Sequence, residues 1–129
     1  MRKAMLFSFT EKEKTWLNTE SKGYSQNLRA FANTNNNKEA EAEGKTLERI
    51  SKKFTPESTD IDLSQKEKAI CTLLLVNRIN HLVTRILPEY QKNPEQHKDY
   101  IVKANDWLKF LTELMEKIHV TDHAYPPEQ

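Results

Sequence analysis

The stretch SQKEKAICTLLLVNRINHLVTRILP, Ser64 to Pro88, decides the fold. Ser64 with Glu67 three residues later is a capping box, and Pro88 supplies a stop. Between them lie about 23 residues of helix, roughly 35 Å at 1.5 Å per residue. Leu73-Leu74-Leu75-Val76 is apolar around most of the helical circumference, so the centre of this helix is expected to be covered on several sides. Further along, Leu75, Val76, Ile79, Leu82, Val83 and Ile86 fall on one face, and Asn77, Arg78, His81, Thr84 and Arg85 on the other. A helix buried nearly all round at its centre is the core of a bundle. Stopped at Pro88 and interrupted by Arg, Asn and His, it reads as too short and too polar for a membrane span.

Upstream, residues 1–9 (MRKAMLFSF) form an apolar arm. It either docks on the bundle or makes a short strand with nothing evident to pair with. Docking is favoured, because Met5, Leu6, Phe7 and Phe9 would otherwise stay exposed. Insertion into a partner's groove stays open for the same reason. Thr10 with Glu13 is a second capping box and starts helix 1. Leu17, Tyr24, Leu28 and Phe31 share one face of it, with Trp16 at the edge. Asn18–Gly23 has no apolar anchor, and the helix is expected to pass through it. Asn33–Asn37 ends the helix and suits the connector of an αα-hairpin. Helix 2 is expected over 38–54, with Ala40, Glu43, Leu47, Ile50 and Phe54 inward and Gly44 a mild defect. Thr55–Leu63 reads as a loop whose Ile61 and Leu63 pack under the central helix.

Downstream of Pro88, Asn93-Pro94-Glu95 announces the last helix with a cap, a first-turn proline and an acid at the positive end of the dipole. Ile101, Ala104, Leu108, Leu111, Met115 and Ile118 alternate by three and four, with Tyr100, Trp107 and Leu114 widening the stripe. Trp107 is expected to be buried against the central helix. The pattern ends near His119–Thr121, leaving residues 124–129 as a tail. The expectation is an all-α, four-helix bundle with an apolar N-terminal arm, one domain over 1–129.

The totals agree with that class. Two glycines in 129 residues are few for a sheet protein, and 30% charged against 36% hydrophobic residues suits a small bundle with a wet exterior. Net charge is +1, so a role with nucleic acid or membrane must rest on local patterning. The single cysteine, Cys71, has no partner for an intramolecular disulfide and lies in the buried helix. A reducing compartment follows as the expectation, and apolar packing makes Cys71 an inert core thiol. The run Ala4–Phe7 is too short for a signal-peptide core, so a cytoplasmic location is expected, with no membrane partner.

Chemical motifs are few. His81, His97, His119 and His123 are the candidate metal ligands. His119 and His123 stand one turn apart, but no carboxylate frame surrounds the pair, so no metal and no cofactor are expected. No serine occupies a Gly-x-Ser-x-Gly turn, and with only Gly23 and Gly44 there is no phosphate-cradling loop. Glu39, Glu41 and Glu43, two apart, fan around helix 2. No catalytic residue is assigned, and the chain is read as no enzyme.

The pattern with content is basic. Lys45, Arg49, Lys52 and Lys53 recur along helix 2 opposite Leu47, Ile50 and Phe54. Arg78, His81 and Arg85 make a second row on the central helix. Two such rows suit a phosphate backbone, while cations near a helix C-terminus also serve its dipole. A small all-helical chain with basic rows of this kind is similar to the small helical subunits of CRISPR effector complexes. That resemblance implies a non-catalytic place in a larger protein assembly of antiviral defence. It also implies contact with the backbone of single-stranded nucleic acid or an RNA–DNA hybrid, without sequence reading. Phe7, Phe9 and Phe110 are expected to add exposed aromatic surface for neighbours. The alternative is a protein–protein interaction module such as a phage inhibitor, an immunity protein or an antitoxin.

Overall fold

In chain order the elements are β1 (Met5–Phe7), α1 (Glu11–Asn35), α2 (Lys38–Ser51), β2 (Ile61–Leu63), α3 (Gln65–Gln91) and α4 (Lys98–Ala124). The computed structural model describes residues 5–124; the first part of the arm and residues 125–129 of the expected tail lie outside them. The class is all-α with four helices, as expected, and the described residues add one small two-stranded ribbon. The chain divides into two compact units, Met1–Glu67 and Lys68–Gln129.

In the first unit α1 and α2 form the expected αα-hairpin. Thr10 and Glu13 exchange both capping bonds, at 3.1 and 2.8 Å. α1 then runs unbroken through Asn18–Gly23. Asn36 turns the chain with φ 55° and ψ 42°, and the Asn37 side chain accepts from the Ala40 N–H at 3.1 Å to start α2. Asparagine tolerates both jobs, so the connector is as short as its residues permit.

The inner face of α1 departs from expectation. Tyr24 and Phe31 are exposed and Leu28 half-buried, while Leu17, Ser21, Ser25 and Ala32 are buried. Small residues win because they let two helix backbones approach. The Ser25 hydroxyl donates to the Gly44 carbonyl at 2.5 Å, and the Asn18 amide donates to Ser51 O at 2.8 Å. Gly44 is therefore a packing site and no defect. A Cβ there would stand 2.6 Å from Arg29 Cγ and 3.3 Å from Ser25 O. Glu43, expected inside, is exposed, and α2 ends at Ser51 instead of Phe54.

The arm does have a strand partner. β1 pairs antiparallel with β2, Leu6 opposite Asp62 and Phe7 opposite Ile61, inside the segment expected to be a loop. Alternation puts Phe7, Ile61 and Leu63 inside and Leu6 and Asp62 outside. Phe7 and Phe9, expected as exposed aromatics, are buried. Phe9 stacks on Phe7 and meets Phe54 edge-on at 5.9 Å. Lys14, nearly buried, donates to Pro56 O at 3.0 Å and Ser58 O at 2.7 Å, which holds the turn before β2 against α1.

Ser64 and Glu67 close their capping box and open α3. Pro88 does not stop this helix. A proline at 88 has no N–H for the Thr84 carbonyl and crowds it. Residues Leu82–Ile86 form a π turn in which the Leu87 N–H reaches Leu82 O, and the helix continues to Gln91. The wider turn rotates everything after it. Asn80 and Leu87, seven apart, would share a face in a plain α-helix, yet Asn80 is exposed and Leu87 buried. With 27 residues, α3 is long and apolar enough to cross a membrane by length and composition, so shortness is no argument against a span. Asn77, Arg78, Asn80 and His81 at its middle are the argument, since a central Arg alone costs about 2.5–3.5 kcal/mol on insertion scales.

Nor is α3 buried all round. Cys71, Leu74, Leu75, Leu82 and Leu87 are buried, while Leu73 is 50% exposed and Val76 and Val83 are also open. α4 packs against the C-terminal part of α3. It begins at Lys98, after a turn closed by the His97 N–H on Asn93 O, and so later than the Asn93 cap suggested. Ala104, Leu111, Leu114 and Ile118 are buried as expected. Trp107 is not: it is 42% exposed and meets Phe110 edge-on.

Gly44→Ala is expected to destabilise the protein by about 1–3 kcal/mol, the usual cost of overpacking a close contact. Leu111→Ala should cost about 2–5 kcal/mol as a core truncation. Chemical denaturation followed by circular dichroism checks both.

Candidate nucleic-acid interface

The helix 2 row is only partly a surface. α2 presents Lys45 and Arg49 to solvent, and Lys52, its C-cap residue, is exposed as well. Lys45 has Glu41 one turn back at 3.8 Å, an exposed pair of little worth. Arg49 and Lys52 have no ion pair among the described residues. Glu48, on the same helix, is taken by Arg29 of α1 at 2.8 Å.

Lys53 leaves the row. Its ammonium donates to Asp62 O at 2.7 Å and to Glu67 Oε1 at 2.8 Å. Glu67 is nearly buried, which by itself raises a carboxyl pKa. The Lys53 and Ser64 hydrogen bonds and the Lys53 charge outweigh that and hold Glu67 below its ordinary 4.5. This lysine fastens α2 to β2 and to the start of α3, and it has no charge to spare for a ligand. Its role was hidden because the sequence shows the capping box of Glu67 but not what else approaches its carboxylate.

The second row also divides. Arg78 is half-buried and already engaged within the chain, while His81 and Arg85 are exposed. Arg85 lies inside the π turn, where seven-residue spacing no longer keeps it on the face of Arg78. Of the seven expected residues, Lys45, Arg49 and Lys52 remain together on one element of the first unit, and His81 and Arg85 remain open on α3.

Among the described residues the histidines do not gather into a group that could hold a metal ion. His81 is exposed, and the His123 side chain lies outside the described ones. His97 lies 5.3 Å from the Tyr90 ring and 6.1 Å from that of Tyr100, with Nδ1 3.3 Å from Tyr90 O. Tyr90 and Tyr100 stack at 5.4 Å, joining the end of α3 to the start of α4. Sequence reasoning missed this cluster, although aromatic rings on both sides of the Asn93-Pro94 turn were a signal for it. Among the described residues no three of His, Cys, Asp and Glu stand close enough to hold a metal ion. Comparison with protein-family models, with curated proteins and with solved structures finds no match.

Lys53→Ala is expected to cost about 1–3 kcal/mol, because it strands a buried carboxylate, whereas Lys52→Ala should be close to neutral. The pH dependence follows from the lowered pKa of Glu67. The stabilisation from Glu67 is fully present above its unfolded value and is lost as pH falls through the lower folded value. Urea titrations across that acid range should show a steeper loss for the natural protein than for Lys53→Ala. Parallel curves would assign the acid loss to other groups.

Proposed function

We propose that the chain is a non-catalytic helical subunit of a larger assembly. One observation carries this reading: each of the two units exposes large apolar side chains of its own. The first has Tyr24 and Phe31, seven residues apart on α1. The second has Leu73, Val76 and Val83 on α3, with Tyr100, Val102 and Trp107 on α4. Apolar surface of this kind marks contact sites. A subunit held between neighbours needs more than one of them. An inhibitor, an immunity protein or an antitoxin needs one contiguous patch.

A second reading adds a polyanion contact, supported by the exposed trio Lys45, Arg49 and Lys52. Three cations on one element suit the backbone of single-stranded nucleic acid or of an RNA–DNA hybrid, and they carry no sequence information. With a net charge of +1 such contact is weak unless neighbours in the assembly add to it.

Affinity purification from the native host, with and without nuclease and read by mass spectrometry, tests the first reading. Defined protein neighbours retained after nuclease treatment are the expected result, and a clean monomer in both arms would overturn it. For the second, replacing Lys45, Arg49 and Lys52 by Ala should flatten the slope of log affinity against log salt by about 2 units, at roughly 0.7 per lost single-strand contact. An unchanged slope would make the trio a solvated face.

A further inference from the structure

Along the outer side of α3 the positions Lys66, Ala69, Leu73, Val76, Asn80 and Val83 are all exposed, at successive spacings of three, four, three, four and three. This is the a and d spacing on which two helices interlock knobs into holes. It lies opposite the buried face of Cys71, Leu75 and Leu82. We propose that this seam binds a second copy of the same chain, α3 against α3, parallel and in register.

Asn80 sets the identity of the occupant. It stands at an a position in the apolar part of the seam, and its side-chain amide makes no hydrogen bond within the described residues. Covering it with an apolar surface would leave the amide unsatisfied. In a parallel, in-register pair the two copies of Asn80 face each other and satisfy one another, the pairing by which a lone Asn fixes register and a two-stranded state. An antiparallel or shifted pair would set Asn80 against Leu73, Val76 or Val83.

The flanks agree. The e positions Ile70 and Asn77 and the g positions Thr72 and Ile79, all before the π turn, are uncharged. Different helices are commonly matched through opposite charges at e and g, and identical copies meet here without repulsion. Lys66, at the edge, is long enough to turn its ammonium to water. The π turn ends the seam, because Leu87, the next a position, is turned inside. About 27 Å of helix remains, so the pair is expected to depend on concentration. The inference is independent of any polyanion contact on α2.

Sedimentation equilibrium of the full chain over a concentration series is the test. The natural protein should approach twice 15.2 kDa with rising concentration. Leu73→Glu should stay monomeric with an unchanged helical spectrum, since Leu73 is half exposed. Asn80→Cys should form a covalent dimer on mild oxidation. Cys71 is buried, so the new thiol is the only one within reach. Asn36→Cys, exposed on the α1–α2 turn, is the control that should not cross-link above background. A natural protein that stays monomeric overturns the proposal, including one that only partitions onto lipid vesicles. So does a dimer that survives Leu73→Glu, or one in which Asn80→Cys cross-links no better than the control.

Discussion

One ammonium group, on Lys53, meets three segments of the first unit. It leaves the end of α2, donates to the Asp62 carbonyl in β2, and donates again to Glu67 in the first turn of α3. The same carboxylate oxygen takes the Ser64 N–H of the capping box at 2.9 Å. A carboxylate so nearly buried is tolerated only with such partners, since taking a charge from water without them costs far more than one hydrogen bond returns. The ribbon depends on this arrangement. Two strands of three residues are too short to persist alone. They persist here because Lys53 holds the outer strand position while Phe7, Phe9 and Phe54 pack beneath. The order of the arm from Met5 onward thus follows from a charge nine residues before β2's Asp62.

The parts of this fold legible in the sequence are those decided by near neighbours. Both capping boxes, the asparagine connector and the stripe of α4 at Ala104, Leu111 and Ile118 follow from residues within a turn or two of each other. The misreadings involve partners far along the chain. Tyr24 and Phe31 share a face with Leu17 by periodicity, but the face that packs is chosen by how closely Ser21, Ser25 and Gly44 let the backbones approach. Lys53 belongs with Lys45, Arg49 and Lys52 by spacing. Geometry removes it, because α2 ends at Ser51 and the chain then turns toward β2. Of the candidate site, the exposed trio on α2 was legible and the separation of Arg78 from Arg85 was not. That separation depends on how a helix accommodates Pro88.

A proline within a helix leaves two outcomes, a stop or a local change in pitch. The π turn takes the second and moves Leu87 to the buried side, where it joins Leu82. A stop would have wasted the apolar residues at 86–87 and separated Tyr90 from the aromatic cluster it forms with His97 and Tyr100. The π turn is therefore what lets α3 reach α4. Seven-residue regularity is given up in the same step, and with it the idea that Arg78 and Arg85 line one side.

Leu73-Leu74-Leu75-Val76 poses a geometric problem that no arrangement of a single helix avoids. Four consecutive residues at 3.6 per turn visit the whole circumference, so an apolar run of that length always leaves part of itself facing away from its own core. Leu74 and Leu75 take the inside, and Leu73 and Val76 take the outside. The run calls for cover on several sides, and the described residues supply it on one side only. A solvated surface would be served as well by Gln or Lys at 73 and 76, both better in an exposed helix than Val. The apolar choice at these positions, in step with Ala69 and Val83, leaves α3 with a second apolar face, and it is on this exposed face that the proposed pairing of two copies rests.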